Sequence, residues 1–167
     1  MLVENHLDEM DQGQLEYASS EWGKFVVITN NQKLSRGDVV YIKTPKIQWG
    51  ENQNVPETKI LRVVGLPGEK LEVKKGNIYI NGAQLEVFYG HSRKSGMDKK
   101  EYQEMAKANG LDPNEFNEWF EKDYKETDIP SDHYFLIGDN WWRSIDSFQF
   151  GPVASSNITG KVIGYQK

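Results

Sequence analysis

The sequence predicts a mainly β domain of antiparallel strands with one small helical insertion. Segments rich in β-branched and aromatic residues recur up to Leu85 and return near the carboxyl terminus, separated by turns with Gly, Pro or Asn. From Ser95 to about Glu126 the composition becomes rich in Lys and Glu, with helical spacing. The 167 residues suffice for one domain with a single core. We therefore expect one domain over 1–167, with a helical insertion at about 89–130.

Each predicted strand is a short run of strand-forming residues that ends at a turn. Pro45 ends one run because proline cannot donate to a sheet. Tight turns are expected at Lys75-Gly76 and at Asn81-Gly82, and Asn-Gly after an alternating strand is a strong hairpin signal. The predicted strands cover 23–29, 39–43, 59–64, 70–74, 77–81, 134–137 and 158–165.

Two helices are predicted in the insertion. The first carries Met97, Tyr102 and Met105 on one face and ends at Asn109-Gly110. Asp112-Pro113 predicts the start of the second, with an N-cap acceptor followed by proline in the first turn. This second helix has an apolar stripe at i, i+3 and i+4, formed by Phe116, Trp119 and Phe120. We interpret the stripe as packing the helices onto the sheet; a cofactor or partner groove is the alternative.

Composition and charge exclude several classes of function. The net charge of −5 argues against nucleic-acid binding, because no basic surface would offset phosphate repulsion. The chain has no cysteine, hence no disulfide, thiolate chemistry or cysteine zinc site. Asp8, Glu9 and Asp11 lack the spacing of a calcium loop, so we expect no metal and no cofactor. No apolar run approaches the roughly 18 residues of a membrane helix. Either the chain is cytosolic or its numbering begins after a removed anchor.

The segment 134–151 is the first candidate site. An apolar strand leads into Gly138-Asp139-Asn140, and a second polar cluster, Ser144-Ile-Asp-Ser147, follows before Gly151. Glycine permits turns closed to other residues, and short polar side chains hydrogen-bond local backbone. Such a loop is rigid, and rigid loops on a sheet are common places for sites. A well-capped turn with no chemistry is the alternative.

Four segments in the same order resemble the conserved boxes of type I signal peptidases, serine–lysine endopeptidases that cut secretory signal peptides. Residues 36–45 resemble the third box, residues 62–69 the fourth, and residues 76–82 the hairpin that follows. Residues 138–151 resemble the fifth box, and 157–162 also fit. The matching box residues are Gly37, Asp38, Arg62, Gly65, Pro67, Gly68, Gly138, Asp139, Asn140, Ser144, Asp146, Ser147 and Gly151. The resemblance implies a signal-peptidase-I-like antiparallel β-sheet or barrel.

The family's catalytic dyad is not found at the matching positions. Its serine attacks the scissile carbonyl, and a buried neutral lysine accepts the proton. The lysine immediately precedes the arginine of the fourth box, where this chain has Leu61. The serine stands in a Ser-Met segment, and pairing on Met10 puts Glu9 at its position, whereas counting back without gaps puts Leu15 there. The resemblance also implies that Glu9, Met10, Ile60, Leu61 and Ser144 line the substrate site.

Substitute residues lie near both positions. Lys59 shares a strand face with Leu61, and only a bulge or register shift would bring its amine to the family position. Ser19 and Ser20 could supply a hydroxyl. The simpler interpretation leaves Lys59 solvated and the serines in a turn. Arginines of the fifth box are replaced by Trp141 and Phe148, so Arg143 could pair with Asp146 instead.

The resemblance implies a catalytically inactive relative that holds an exported polypeptide or signal peptide in the inherited cleft, in a chaperone-like or assembly role. The alternatives are an active endopeptidase with a displaced dyad, and a regulatory subunit that binds signal peptides or an active peptidase. The expected location is the extracytoplasmic face of a bacterial membrane, with the anchor preceding residue 1. Trp141 and Trp142, if exposed, could contact the membrane surface.

Overall fold

A computed structural model describes residues 1–5, 7–12, 24–29, 33–46 and 55–166. Strands dominate this part of the chain, and the helices are short. The strands are β1 Leu2–Glu4, β2 Lys24–Ile28, β3 Val39–Lys43, β4 Thr58–Gly65, β5 Lys70–Lys74, β6 Asn77–Ile80, β7 Ala83–Gln84, β8 Tyr124–Asp128, β9 His133–Ile137, β10 Val153–Ala154 and β11 Ile158–Gln166. The helices are α1 Lys99–Ala108, α2 Asn117–Phe120 and α3 Ser147–Phe150, and the 3₁₀ turns are Trp141–Arg143 and Ser155–Asn157. None of these described helices is long and apolar enough to cross a bilayer.

The larger sheet has seven strands in the order β1-β2-β11-β3-β4-β9-β10. All of its pairings are antiparallel. Strand β4 lies between β3 and β9 and is buried along most of its length, because its apolar side chains cover both faces. One face contributes Leu61 and Val63 to a core with Val40 and Ile42 of β3. Ile60 packs into a second cluster on the other face, with Val27.

The smaller sheet has four strands in the order β7-β6-β5-β8, and it contains the predicted hairpins. Lys75 and Asn81 adopt left-handed backbone, with φ of 47° and 50°, as tight two-residue turns require. Leu71, Val73 and Ile78 of this sheet pack with Phe135 of the larger one. The mainly β, antiparallel architecture predicted from the sequence is confirmed.

The helical insertion differs from the prediction in two ways. Helix α1 forms as expected, with a reciprocal capping box between Asp98 and Glu101. The second helix does not start at Asp112-Pro113, because the Asp112 carboxylate accepts from the backbone of Asn114 and closes a turn instead; the helix begins later, at Asn117. The range 89–130 also contains β8, which pairs with β5.

The apolar stripe joins the helices to each other. Phe120 packs with Tyr102 and Ala106 of α1 in a cluster of their own, with Phe116 at its margin. Phe116 also makes an edge contact with Trp142, at 5.6 Å between ring centroids. The interpretation that the stripe packs the helical pair onto the sheet is therefore wrong for Phe116 and Phe120, which pack with α1.

Candidate functional site

Strand β4 separates the residues of the predicted site onto two faces, because successive side chains of a strand alternate. Ile60 and Arg62 face a cleft of about 300 Å³. Leu61 faces the opposite side and lies fully buried in the apolar core around Val40. Lys59 shares the face of Leu61 and is only 1% exposed. The interpretation that left Lys59 solvated is wrong, because the chain encloses its amine.

Glu9 is the partner of Lys59. The Lys59 ammonium contacts Oε1 of Glu9 and donates a hydrogen bond to the carbonyl oxygen of Ile145. The amide N–H of Ile145 donates to the same Oε1, at 3.4 Å. The backbone carbonyl of Glu9 accepts from the N–H of Asn140, at 2.9 Å. Glu9 therefore connects the amino-terminal segment to β4 and to the loop 138–147.

The environment of Glu9 is unusual for a carboxylate. Burial raises its pKa to about 7, although the charge and hydrogen bond of Lys59 act in the opposite direction. Its second oxygen, Oε2, is buried and has no hydrogen-bond partner among the described residues. Buried carboxylate oxygens normally accept at least one hydrogen bond, so Oε2 of Glu9 is an exception.

A second ion pair stands on the cleft side of β4, where the side chain of Arg62 is 11% exposed and that of Asp139 is buried. Arg62 donates from Nε and Nη2 to the two oxygens of Asp139, at 2.7 and 2.6 Å. Gln12 donates to Asp139 as well, at 2.8 Å. The guanidinium group lies over the rings of Phe88 and Tyr89, at 4.9 and 5.1 Å from their centroids. Asp139 of the loop is thus paired with an arginine of β4.

The remaining fifth-box residues stabilise the loop. Asp146 caps α3 through a capping box with Gln149 and accepts from the N–H of Gly138 at 3.0 Å. Burial raises the pKa of Asp146. The hydroxyl of Ser147 accepts from the N–H of Leu136, at 2.9 Å. The predicted pairing of Arg143 with Asp146 is wrong, because Asp146 is fully engaged as a cap.

The partner of Arg143 is Asp8, with 2.8 Å between Nη2 and Oδ2. Gly138 lets this loop and the amino-terminal segment approach closely. A Cβ on Gly138 would lie 2.5 Å from the hydroxyl of Ser144 and 2.7 Å from the carbonyl oxygen of Glu9. Glycine is therefore the residue that fits between them.

Ion pairs connect the third box, residues 36–45, to the fourth box, residues 62–69, and to β11. Arg36 makes a bidentate pair with Glu69, at 3.0 and 2.6 Å. Asp38 pairs with Lys161 of β11, at 2.6 Å. Glycines at 37 and 68 have φ of 91° and 83°, and a Cβ at Gly65 would clash with Ile129. Pro67 lies in the turn that Gly68 closes.

The cleft is mostly apolar. Its floor crosses β2, β11, β3 and β4 of the larger sheet, and residues from 5 to 12 form one wall. The apolar lining side chains include Met10, Phe25, Val39, Ile60 and Val162. Of the residues expected to line a substrate site, Met10 and Ile60 line this cleft. Glu9, Leu61 and Ser144 are buried and lie behind the lining.

The tryptophans of the loop differ in exposure. Trp141 is 2% exposed and packs against Phe148 in the core between the sheets. Trp141 therefore does not meet the condition of exposure on which its predicted membrane contact depended. Trp142 is half-buried, between Phe116 and the side chains of Lys94 and Arg143. Leu15, Ser19 and Ser20 lie outside the described residues.

Sequence reasoning missed the pairing of Lys59 with Glu9 and the roles of Gln12 and Phe25. One signal was present: Lys59 interrupts a strand whose following residues are apolar on both faces. A lysine in such a position is buried only with a partner, and this would have prompted a search for an acid. Within the described residues, no group of three His, Asp or Glu side chains gathers as a metal site.

Comparison with known proteins identifies the family. The sequence model described as "Signal peptidase, peptidase S26" matches residues 13–165. Signal peptidase I V of Bacillus subtilis (strain 168) is 33% identical over 110 residues, which are 64% of this chain and 58% of that protein. Signal peptidase I of Leptolyngbya laminosa is 30% identical over 128 residues, 77% of this chain and 50% of that protein. The crystal structure of a signal peptidase I from Enterococcus faecalis V583 matches with a TM-score of 0.52 and 26% identity, over 79% of this chain and 98% of that one.

The chain belongs to the S26 signal peptidase family. It spans only about half the length of the curated relatives that it matches. The family match begins at residue 13 and so leaves Glu9 and Met10 outside it. The assignment of Glu9 to the position of the family serine stays a prediction.

Proposed function

We propose that this domain is a catalytically inactive signal peptidase relative that binds an extended segment of an exported polypeptide in its cleft. The observation that carries the proposal is the state of Lys59. Its amine is held by the carboxylate of Glu9 and the carbonyl of Ile145. Leu61, at the position matched to the family lysine, is a core residue.

A lysine held in this way is a poor general base. A general base must be neutral and within reach of the proton that it abstracts. The contacts with Glu9 and Ile145 occupy the amine of Lys59, and β4 directs the side chain away from the cleft. Neither Glu9 nor Leu61 carries a hydroxyl nucleophile.

The cleft itself retains the character of a peptide site. Its floor of apolar side chains would bury the apolar side chains of an extended segment, and burial of apolar area is favourable. Gln12 at the wall donates one N–H to Asp139, and its amide has a further N–H and a carbonyl oxygen with which a peptide backbone could bond. We expect the client to be an exported polypeptide, met at the extracytoplasmic face of a membrane.

The test combines cleavage and binding in one preparation. The purified domain is incubated at high concentration with a substrate that contains a signal peptide, in detergent, and the products are measured by mass. Binding of the same peptide is measured by fluorescence anisotropy. We expect binding without cleavage.

Two variants locate the binding. Phe25→Ala shortens a side chain on the cleft floor and is expected to weaken binding about tenfold, because roughly 1–2 kcal/mol of apolar contact is lost. Leu111→Ala, a matched truncation of an exposed side chain in the insertion, is expected to leave binding unchanged.

Each other outcome has a definite meaning. Specific cleavage would refute inactivity and favour the active peptidase with a displaced dyad, and Lys59→Ala and a Ser19→Ala, Ser20→Ala double variant would then identify its residues. Absence of both cleavage and binding would refute the peptide-binding proposal. Co-purification with an active peptidase instead of a client would favour the regulatory subunit.

A further inference from the structure

The buried contact between Lys59 and Glu9 has the composition of a bond-forming site. We propose that Nζ of Lys59 and the side-chain carbonyl carbon of Glu9 become joined by an amide bond, an intramolecular isopeptide cross-link between β4 and the amino-terminal segment. The proposal does not depend on peptide binding in the cleft.

The amine of Lys59 and the carboxyl group of Glu9 are already in contact. The amine lies against Oε1 of Glu9, and both side chains are almost completely buried. Two backbone groups of Ile145 restrain the pair, one bonded to the amine and one to Oε1. Groups held in contact in this way react as though at very high concentration, because the entropy of bringing them together has already been lost.

Burial of the Lys59–Glu9 pair favours loss of its charges. A buried ion pair is costly to desolvate, which favours a form of the pair in which neither group is charged. Burial raises the pKa of Glu9 to about 7, and the charge of Asp146 acts in the same direction. Both effects favour the acid form of Glu9. The neutral amine is the nucleophile and the neutral acid is the better electrophile, so this is the reactive form of the pair.

The reaction balances without any co-reactant. Nζ attacks the carbonyl carbon of Glu9, and a C–N bond forms. The bond from that carbon to Oε2 breaks, and Oε2 leaves as water with the proton of the acid and one proton of the amine. No atom is oxidised or reduced.

The amide bond would leave fewer unsatisfied polar atoms than the ion pair does. In the ion pair, Oε2 is buried and has no partner among the described residues. In the amide, Oε2 is gone, the remaining N–H donates to the carbonyl of Ile145, and the remaining oxygen accepts from the N–H of Ile145. The cross-link therefore removes two buried charges and one unsatisfied oxygen with the partners already in place.

The test is the intact mass of the denatured chain. Denaturation separates an ion pair and leaves an amide intact. We expect a mass lower by one water than the sequence requires, and a branched peptide after digestion that joins the segments containing Glu9 and Lys59. A wild-type chain of full mass, or a loss of water that maps to any other pair of residues, would overturn the proposal.

Variants assign the reacting amine. Lys59→Met keeps an unbranched side chain of similar length and is expected to have its full mass. If that variant does not fold, Lys59→Arg keeps a cation beside Glu9 but offers no comparable nucleophile, and it too should have its full mass. Lys74→Met is the matched control, because Lys74 is exposed and lies 2.6 Å from Glu72, and it should still lose one water. Persistence of the water loss in either Lys59 variant would contradict the assignment.

Discussion

Strand β4 carries two buried cations, and each is paired with an acid from a distant part of the chain. Arg62 and Asp139 are joined by two parallel hydrogen bonds, and Gln12 bonds the same carboxylate. Lys59 meets only one oxygen of Glu9, and the other has no partner among the described residues. Both acids are buried and both cations are largely enclosed, so burial does not explain the difference. The difference lies in geometry: a planar guanidinium matches both oxygens of a carboxylate, whereas an ammonium is a single point of charge.

The two pairs therefore differ in whether they can lose their charges. Arginine does not lose its proton in proteins, so Arg62–Asp139 is a fixed ion pair that holds the loop 138–147 against the sheet. Lysine and glutamate can both become neutral when buried. Lys59–Glu9 can consequently give up its charges, either by proton transfer within the pair or by the proposed amide bond.

The largest expected effect comes from breaking the fixed pair. Arg62→Met leaves Asp139 buried with Gln12 as its one side-chain donor among the described residues, and it also removes the bond from Arg62 to the carbonyl of Gly37. We expect a loss of about 3–5 kcal/mol in the free energy of unfolding, measured by denaturant titration. Lys74→Met removes an exposed ion pair of the smaller sheet and should leave the midpoint nearly unchanged. Equal midpoints for both variants would contradict the importance of the pair.

Breaking the convertible pair is expected to cost less. Lys59→Met removes the cross-link, but it fills the same apolar space and leaves Glu9 free to become neutral. We expect a loss of about 2–4 kcal/mol, by analogy with other cross-links that constrain the unfolded chain. The same titration measures it. A variant as stable as the wild type would show that the contact is an ordinary ion pair that an apolar side chain can replace.

The folding stability of the Lys59→Met variant is expected to depend on pH through Glu9. Without Lys59, the strongest influence that lowers the pKa of Glu9 is gone, so the pKa of Glu9 in the folded variant lies above about 7. A carboxyl group with a raised pKa in the folded state favours folding when it is protonated. Its contribution is therefore lost as the pH rises from the ordinary value of 4.5 through the folded pKa.

We expect this variant to lose stability between about pH 5 and about pH 8, as measured by denaturant midpoints. The cross-linked wild type has no Glu9 carboxyl and should lack this contribution. Identical pH profiles for the two proteins would contradict the expectation.

Lys94 is a third cation, and it lies against aromatic rings. Nζ of Lys94 lies 4.0 Å from the ring centroid of Phe116, 4.6 Å from that of Trp142 and 5.1 Å from that of Tyr102. Burial lowers its pKa. Lys94→Met keeps the apolar contact and loses the cation–π attraction, so we expect the smallest loss, about 1 kcal/mol by thermal or chemical unfolding. Lys100→Met, on the exposed side of α1, is the control and should show no change.

Much of the β architecture could be predicted because its signals are local. Strands β3 and β5 have the predicted bounds, and the turns at Lys75-Gly76 and Asn81-Gly82 form as expected. The missed strands lack such signals. Strand β1 has three residues and β10 has two, and each becomes a strand only because a neighbour pairs with it. Strand β8 is a polar edge strand with no apolar face to recognise.

The sequence alone determined the antiparallel fold, the hairpins and the boxes of the family, because alternation, turn residues and motif order act between neighbours along the chain. It also led to the prediction that Leu61 stands where the family has lysine. Only the tertiary structure decided that Lys59 is buried, that Glu9 is its partner, and that Arg143 pairs with Asp8. These outcomes depend on which surfaces the folded chain encloses. The cost of an unpaired buried charge then selects partners from residues far apart in the sequence.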